Sequence, residues 1–359
     1  MVRALVAIDS FKGCLSSAEA NCAAKEGILR AFPGAEVVQI PVSDGGEGWL
    51  EAFQSAIGGE MVEVSVCDPL MRPIKARYLL QGDTAVIEMA QASGLSLLSV
   101  EERNPMKASS YGTGQLVVAA VRRGCRHIVV GLGGSATSDA GMGMLEAVRE
   151  AFGTDNVWED QTPLKQVKFT VATDVNNPLC GPEGAARVFA PQKGATVEMV
   201  VALDDRARQF ADASAARFGR DCRMFPGAGA AGGLGYAFMQ YLGAERKSGI
   251  ELLLDAARFD ELVLKSDLVV TGEGAADGQT LMGKLPYGIM RRARRYGVPV
   301  WLIAGRVENC RRLLDAGFSR VECINPSGLA LEEAVKKEVA QANIRTAMQQ
   351  MMSADNLNL

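Results

Sequence analysis

At 359 residues, 48% of them hydrophobic and 22% charged, the chain is long enough for two or three domains and has the composition of an ordinary globular protein. A formal charge of -4 argues against a nucleic-acid-binding surface, and no apolar stretch approaches the roughly 18 residues that a membrane span needs. Its one histidine, His127, removes histidine-based zinc sites and most serine–histidine or cysteine–histidine chemistry. Any reaction must therefore use carboxylates, lysines, hydroxyls and backbone, with or without a metal.

Val2 to Ile8 is an apolar, β-branched run ending in Asp9-Ser10-Phe11-Lys12-Gly13. It reads as a buried parallel strand with polar groups at its carboxyl end, where open α/β sheets bind ligands. Ser16 or Ser17 caps a helix to about Phe32, with Glu19 placed for a capping box and Pro33-Gly34 as the stop. Glu36 to Val42 is a second strand, followed by the loop Ser43-Asp44-Gly45-Gly46-Glu47-Gly48 and a helix over Trp49 to Ile57. From Met61 to Ile87 the apolar period becomes two, with turns at Asp68-Pro69 and Gly82-Asp83, which predicts antiparallel hairpins. A helix is expected over Ser109 to Arg123, with Tyr111-Gly112-Thr113-Gly114 as a glycine loop at its start.

Ile128 to Val130 is a short strand stopped by Gly131, Gly133 and Gly134. Ser135, Thr137, Ser138 and Asp139 follow, and then Met142, Met144, Leu145 and Val148 recur at helical spacing. Beyond it come a strand over Phe169 to Thr173, the loop Asp174 to Pro178, the segment Phe189 to Gly194 and a helix from Thr196 to Arg217. The glycine run Gly227 to Gly235 leads into another helix. From Asp267 a βα rhythm resumes: Leu268 to Val270 ending in the loop Thr271-Gly272-Glu273-Gly274, a helix from Leu285, strands at Val298 to Ile303 and Val321 to Ile324, and a long helix from Leu331 to Met351. Two βα units, an excursion and three more units predict an α/β protein. Residues 1–64 and 263–359 form a flavodoxin-like domain with a parallel sheet of five strands or slightly more, and residues 65–262 are a second, mixed α/β domain inserted into it.

The stretch from Arg126 to Met144 reads as strand, glycine loop and helix start, a combination whose free backbone N–H groups suit a phosphate, with Asp139 within reach of Mg²⁺. The plain alternative is an ordinary turn with small residues for packing. Gly131-Leu-Gly133-Gly-Ser-Ala136 and Gly227-Ala-Gly229-Ala-Ala-Gly232 imitate a dinucleotide fingerprint, but the first lacks a following βαβ unit with an acid at the end of its second strand, the second has no convincing strand before it, and no P-loop motif occurs. Asp9, Asp44, Glu47, Asp174, Glu273 and Asp277 each lie beside glycine, serine or asparagine just after an apolar strand, and Lys12, Lys193 and Lys284 occupy similar loops. Carboxylates for Mg²⁺, amide-rich loops and lysines for phosphates are what phosphoryl transfer requires. Eight cysteines without a Cys-x-x-Cys pair, and no secretory leader, predict reduced thiols and a cytoplasmic location.

These residues resemble the type-1 glycerate kinases of bacteria. The likeness rests on Asp9-Ser-Phe-Lys-Gly13, Ser43-Asp-Gly-Gly-Glu-Gly48, Tyr111-Gly-Thr-Gly114, Gly133-Gly-Ser-Ala-Thr137, Asn177-Pro178, Pro191-Gln-Lys-Gly194, the Gly227 to Gly233 run, Ser248-Gly-Ile250 and Thr271-Gly-Glu-Gly274, in that order over nearly the whole chain. It implies ATP-dependent phosphorylation of D-glycerate with Mg²⁺, generally at the 2-hydroxyl, with the 3-hydroxyl left open, and an active site in the cleft between the domains. The expected partners are D-glycerate and ATP, with no nucleic acid and no membrane, and a homodimer is allowed. Two departures stand out. Ala275 and Ala276 occupy positions where the family commonly has an arginine and an aliphatic residue, and the segment from Glu150 to Lys165 is short.

Within this reading Gly133, Gly134, Ser135 and Thr137, with Gly112 and Thr113, are expected at the ATP phosphates. Lys193, Asp174 and Asp277 are the expected catalytic groups, Asp277 as the general base. Ser10, Lys12, Asp44 and Glu47 are expected at the substrate, and Asp174 and Glu273 at Mg²⁺. The competing readings are a hydroxy-acid sensor without turnover and an NAD-dependent hydroxy-acid dehydrogenase.

Overall fold

The computed structural model describes residues 2–43, 45–46, 48–153, 158 and 162–354. Asp44 and Glu47 lie outside the described residues, as does most of 154–161 in the short segment. The strands are β1 (Arg3–Ile8), β2 (Glu36–Gln39), β3 (Glu60–Cys67), β4 (Pro73–Gln81), β5 (Thr84–Glu88), β6 (His127–Gly131), β7 (Lys168–Ala172), β8 (Glu245–Lys247), β9 (Leu268–Ala276), β10 (Val300–Val307) and β11 (Arg320–Cys323). They fall into two compact units. The first comprises residues 1–44, 51–57 and 250–359, and the second 45–50 and 58–249. The hydrophobic rhythm puts the seams at 64/65 and 262/263; in the structure β3 pairs with β4 along its whole length, from Glu60 opposite Leu80 to Cys67 opposite Pro73.

In the first unit five strands run parallel in the order β2-β1-β9-β10-β11. Counted within the unit this is 2-1-3-4-5, the flavodoxin order, and the sheet changes direction between β1 and β9. Five of the six residues of β1 are buried, as expected of a central parallel strand covered on both faces. The helix Ser17–Ala31 opens with a complete capping box between Ser16 and Glu19. Its Gly27 permits close packing on the helix Lys337–Ala354, because a Cβ there would stand 2.4 Å from the Arg345 carbonyl oxygen. Two polar residues of the same helix pin the strand tips. Asn21 accepts the Ile8 N–H (2.9 Å) and donates to the Ile40 carbonyl (2.9 Å), while Ser17 Oγ donates to the Ile8 carbonyl and accepts the Val42 N–H. That side-chain capture takes Val42 out of the ladder, so β2 ends at Gln39 rather than Val42.

β9 is longer than its sequence predicts. Thr271-Gly272-Glu273-Gly274 is strand and not loop, because β10 pairs with it as far as Val307 opposite Ala276. The close approach depends on Gly272, where a Cβ would lie 2.4 Å from the Ile303 carbonyl oxygen. The predicted C-terminal helix is two helices, Leu331–Ala334 and Lys337–Ala354.

The second unit is built on a six-stranded mixed sheet, β3-β4-β5-β6-β7-β8, with the first two pairings antiparallel and the rest parallel. The expected hairpins over 61–87 are its antiparallel half. Tyr111–Gly114 forms the first turn of the helix Tyr111–Arg122 and is not a loop. Gly112 and Gly114 are packing positions: a Cβ on the first would meet the Cys67 carbonyl at 1.9 Å, and on the second the Met144 carbonyl at 2.4 Å.

Candidate active site

The first unit carries a cavity of about 530 Å³ at the carboxyl ends of β1, β9, β10 and β11, where a doubly wound sheet binds its ligands. The chain leaving β1 supplies Asp9, Ser10 and Lys12 to its wall. Asp9 Oδ1 accepts the Ser10 N–H at 2.7 Å, and a tight turn between Phe11 and Leu15, closed by Gly13 at φ +72°, presents Lys12 at the surface. From β9, Glu273 is 7% exposed and accepts from Thr280 Oγ1 (2.6 Å) and Lys284 Nζ (3.4 Å). Burial pushes its carboxyl above the ordinary 4.5, a tendency the Thr280 and Lys284 contacts oppose. Thr280 Oγ1 also accepts the Asp277 N–H, Asp277 Oδ1 accepts the Gln279 N–H at 2.7 Å, and the Lys284 ammonium lies 3.8 Å from that same oxygen. Ser10, Lys12 and Glu273 thus share one cavity wall with Lys284, and Asp277 stands beside it.

Two lining residues were not foreseen. Arg306 on β10, the register partner of Ala275, also lines the cavity, and its guanidinium pairs with Glu308 at 3.3 Å. Asn325, after β11, donates to the Gly305 carbonyl (2.7 Å) and accepts from Asn343 (2.9 Å). Both follow the pattern of a polar residue at an apolar strand's carboxyl end, but Arg306 sits inside a strand that the hydrophobic run would have ended at Ile303.

In the second unit the Gly133–Thr137 loop follows β6. Gly133 N–H donates to the Gly45 carbonyl, Ala136 N–H to the Ser93 carbonyl, and the Gly134 carbonyl accepts the Leu95 N–H. Gly134 is at φ +73°, and a Cβ at Gly133 would come within 2.4 Å of Gly46. Lys193 is 2% exposed and donates from Nζ to Ser135 Oγ and to the Thr137 carbonyl, each at 2.7 Å. Burial lowers its ammonium from 10.5 to about 7, with Asp139 acting in the opposite direction. Thr137 is fully buried, and its Oγ1 has no hydrogen-bond partner among the described residues.

This loop is not a helix N-terminus, contrary to the strand–loop–helix expectation. The helix Met142–Phe152 begins five residues later, after left-handed turns at Ala140 and Gly141. Its end is closed by Asp139, whose carboxylate accepts from the N–H groups of Gly141, Gly143 and Ser110 and from Ser110 Oγ. With four donors in place, that carboxylate is a cap rather than a Mg²⁺ ligand. Gly112 and Thr113 lie in the helix that delivers Ser110, and buried Thr113 shares a 2.7 Å hydrogen bond with Ser93. The run from Gly227 is no nucleotide fingerprint either. It has no preceding strand, it contains left-handed Ala231, Gly232 and Gly233, and a Cβ at Gly232 would touch the Thr137 carbonyl at 1.9 Å, so it backs the 137–140 segment. Asp174 is half-buried in the loop after β7.

Among the described residues no three Cys, His, Asp or Glu side chains converge as a metal cage. No described helix is long and apolar enough to cross a membrane.

Known proteins resemble the chain over almost its full length. A model of the glycerate kinase family matches residues 4–355. The glycerate kinase of Bacillus subtilis (strain 168) is 41% identical over 368 residues, 96% of each chain, and the glycerate 2-kinase of Escherichia coli (strain K12) is 41% identical over 85% of each. A Salmonella typhimurium LT2 crystal structure, provisionally described as glycerate kinase 2, superposes with a TM-score of 0.81 at 36% identity, covering 99% of this chain and 98% of that one. A flavodoxin-like sheet with a lysine- and carboxylate-lined cavity, a buried lysine under a glycine loop, and these matches over almost the full length make the chain a member of the glycerate kinase family.

Proposed function

We propose that the chain transfers the γ-phosphoryl group of ATP to the 2-hydroxyl of D-glycerate, releasing 2-phosphoglycerate and ADP. The observation that carries this reading is the first unit's cavity, where Ser10, Lys12, Glu273 and Lys284 gather at the carboxyl ends of parallel strands. The name of the Escherichia coli relative, a glycerate 2-kinase, supports the 2-position.

Lys12 and Ser10 hold the substrate carboxylate as cation and hydroxyl donor. Asp277 Oδ1 is engaged by the Gln279 N–H, so its second oxygen takes the proton of the attacking hydroxyl. As that O–H bond breaks, the hydroxyl oxygen bonds to the γ-phosphorus and the bond to the β-phosphate oxygen breaks. Lys284, paired to Glu273, lies 3.8 Å from Asp277 Oδ1 and adds positive charge beside the reacting groups. Gly133, Gly134, Ser135 and Thr137 are assigned to the ATP phosphates. Lys193, near neutrality when buried alone, takes up a proton when phosphate charge arrives and supplies a cation without a permanently buried charge. Glu273 or Asp174 would hold Mg²⁺, which would supply positive charge against the phosphate oxygens. The unpaired state of all eight cysteines supports a cytoplasmic setting.

The test is ³¹P NMR of the product after incubation with ATP, Mg²⁺ and D-glycerate. A signal matching 2-phosphoglycerate is expected. A 3-phosphoglycerate signal overturns the regiochemistry, and absence of any new ester from folded protein that binds ATP overturns the substrate.

A further inference from the structure

Of residues 277–284, which follow β9, only Thr280 is buried, and it is fully so. Valine has the same branched shape and would fill that space without a polar atom, so packing alone does not call for a hydroxyl there. A buried hydroxyl costs free energy unless it is hydrogen-bonded, and this one is bonded on both sides. Thr280 Oγ1 gives its single proton to Glu273 Oε1 at 2.6 Å and accepts the Asp277 N–H at 3.0 Å. The direction is fixed, because an amide N–H can only donate. A second bond joins the same two residues of the turn, from the Thr280 N–H to the Asp277 carbonyl at 3.1 Å. Glu273 lies inside the sheet, opposite Ala304 of β10, whereas Asp277 stands one residue past the end of β9. The hydroxyl therefore ties the turn that carries Asp277 to a carboxylate held by the strand ladder.

We propose that Thr280 is the positioning residue for Asp277, setting where the base stands against the acceptor hydroxyl; this rests on the kinase reading above, with Asp277 as its base. Being fully buried, Thr280 acts through Asp277 and not by touching the substrate. The other close contact of the Asp277 carboxylate, the Gln279 N–H at 2.7 Å, belongs to the same turn and moves with it. Lys284, at 3.8 Å, stands beyond hydrogen-bond distance of that oxygen. Without the Thr280 hydroxyl the turn keeps its internal bonds and loses its tie to Glu273. A displacement of about 1 Å at a reacting group is enough to cost about 10²-fold in rate.

The test is steady-state kinetics of the full-length protein with ATP, Mg²⁺ and D-glycerate, for wild type, Thr280→Val, Thr280→Ser, Asp277→Asn and the Thr280→Val, Asp277→Asn double variant. Circular dichroism should match wild type; if the valine variant does not fold, Thr280→Ala takes its place in the same comparison. The expected result for Thr280→Val is a kcat lower by about tenfold or more, with the KM for D-glycerate changed less than about threefold. Thr280→Ser, which keeps the hydroxyl and loses the methyl, should recover kcat to within about threefold of wild type. On the Asp277→Asn background the valine should lower kcat by less than about threefold, because the group it misplaces is already gone. A smaller loss in Thr280→Val overturns the proposal. So does a serine variant that fails to recover, which would make the packing of the methyl the cause, or a valine loss that persists in full in the double variant. Wild-type protein that forms no phosphoglycerate removes the kinase reading itself, and the positioning role with it.

Discussion

Replacing Lys193 with methionine keeps the length and apolar stem of the side chain and deletes its amine. The residue is 2% exposed, and burial lowers its ammonium from 10.5 in the unfolded chain to about 7 in the folded one. Below about pH 7 both states carry the proton and the folded state bears the full desolvation penalty. Between about 7 and 10.5 the unfolded chain holds a proton that the folded one does not, so folding stability rises with pH. At 1.36 kcal/mol per unit of pKa difference the whole effect is about 4–5 kcal/mol, and the part between pH 7 and 9 is about 2–3 kcal/mol. Equilibrium urea unfolding of wild type and Lys193→Met at pH 7, 8 and 9 measures it, and the other titrating groups cancel in the difference. Wild type should gain on the variant by about 2–3 kcal/mol over that interval. A difference that stays flat with pH would mean that Lys193 is buried as a cation held by Ser135 and the Thr137 carbonyl, and would refute the desolvation argument.

Asp277→Asn retains the acceptor for the Gln279 N–H and removes the proton acceptor, so kcat should fall by about 10²-fold or more while thermal melting is unchanged; undiminished turnover excludes Asp277 as the base. Glu273→Gln preserves size and the Thr280 contact but loses the charge facing Lys284. Because burial raises the Glu273 pKa above 4.5, its protonation sets an acid limb in the kcat/KM profile, with activity lost as pH falls; the variant should lack that limb, and an unchanged profile assigns it elsewhere. Gly272→Ala forces a Cβ to 2.4 Å from the Ile303 carbonyl and should lower stability by about 1–3 kcal/mol in urea titration. An unaltered midpoint would show that β9 and β10 separate freely.

Local chemistry was sufficient wherever neighbours in sequence are also neighbours in space. The capping box at Ser16 and Glu19, the helix over Trp49–Ile57 and the hairpins between β3 and β5 follow from periodicity and from residues a few positions apart. The βα rhythm likewise announced the five-stranded sheet, since each unit writes its own strand, loop and helix. Tertiary pairing decided the rest. Thr271–Gly274 carries the glycines of a loop, yet it is strand because β10 lies alongside and only a glycine at 272 admits it. Tyr111–Gly114 has the composition of a phosphate loop, yet its glycines make room for the Cys67 and Met144 carbonyls. Asp139 resembles a metal ligand until Ser110, some thirty residues earlier, is folded against it. Lys193 is an ordinary loop lysine until Ser135 and Thr137 close over it. A sequence states which groups are available and the local period of their burial. Which donors are already taken, and which glycines are needed for contact rather than for a ligand, depends on partners far away along the chain, and only the folded structure brings those partners together.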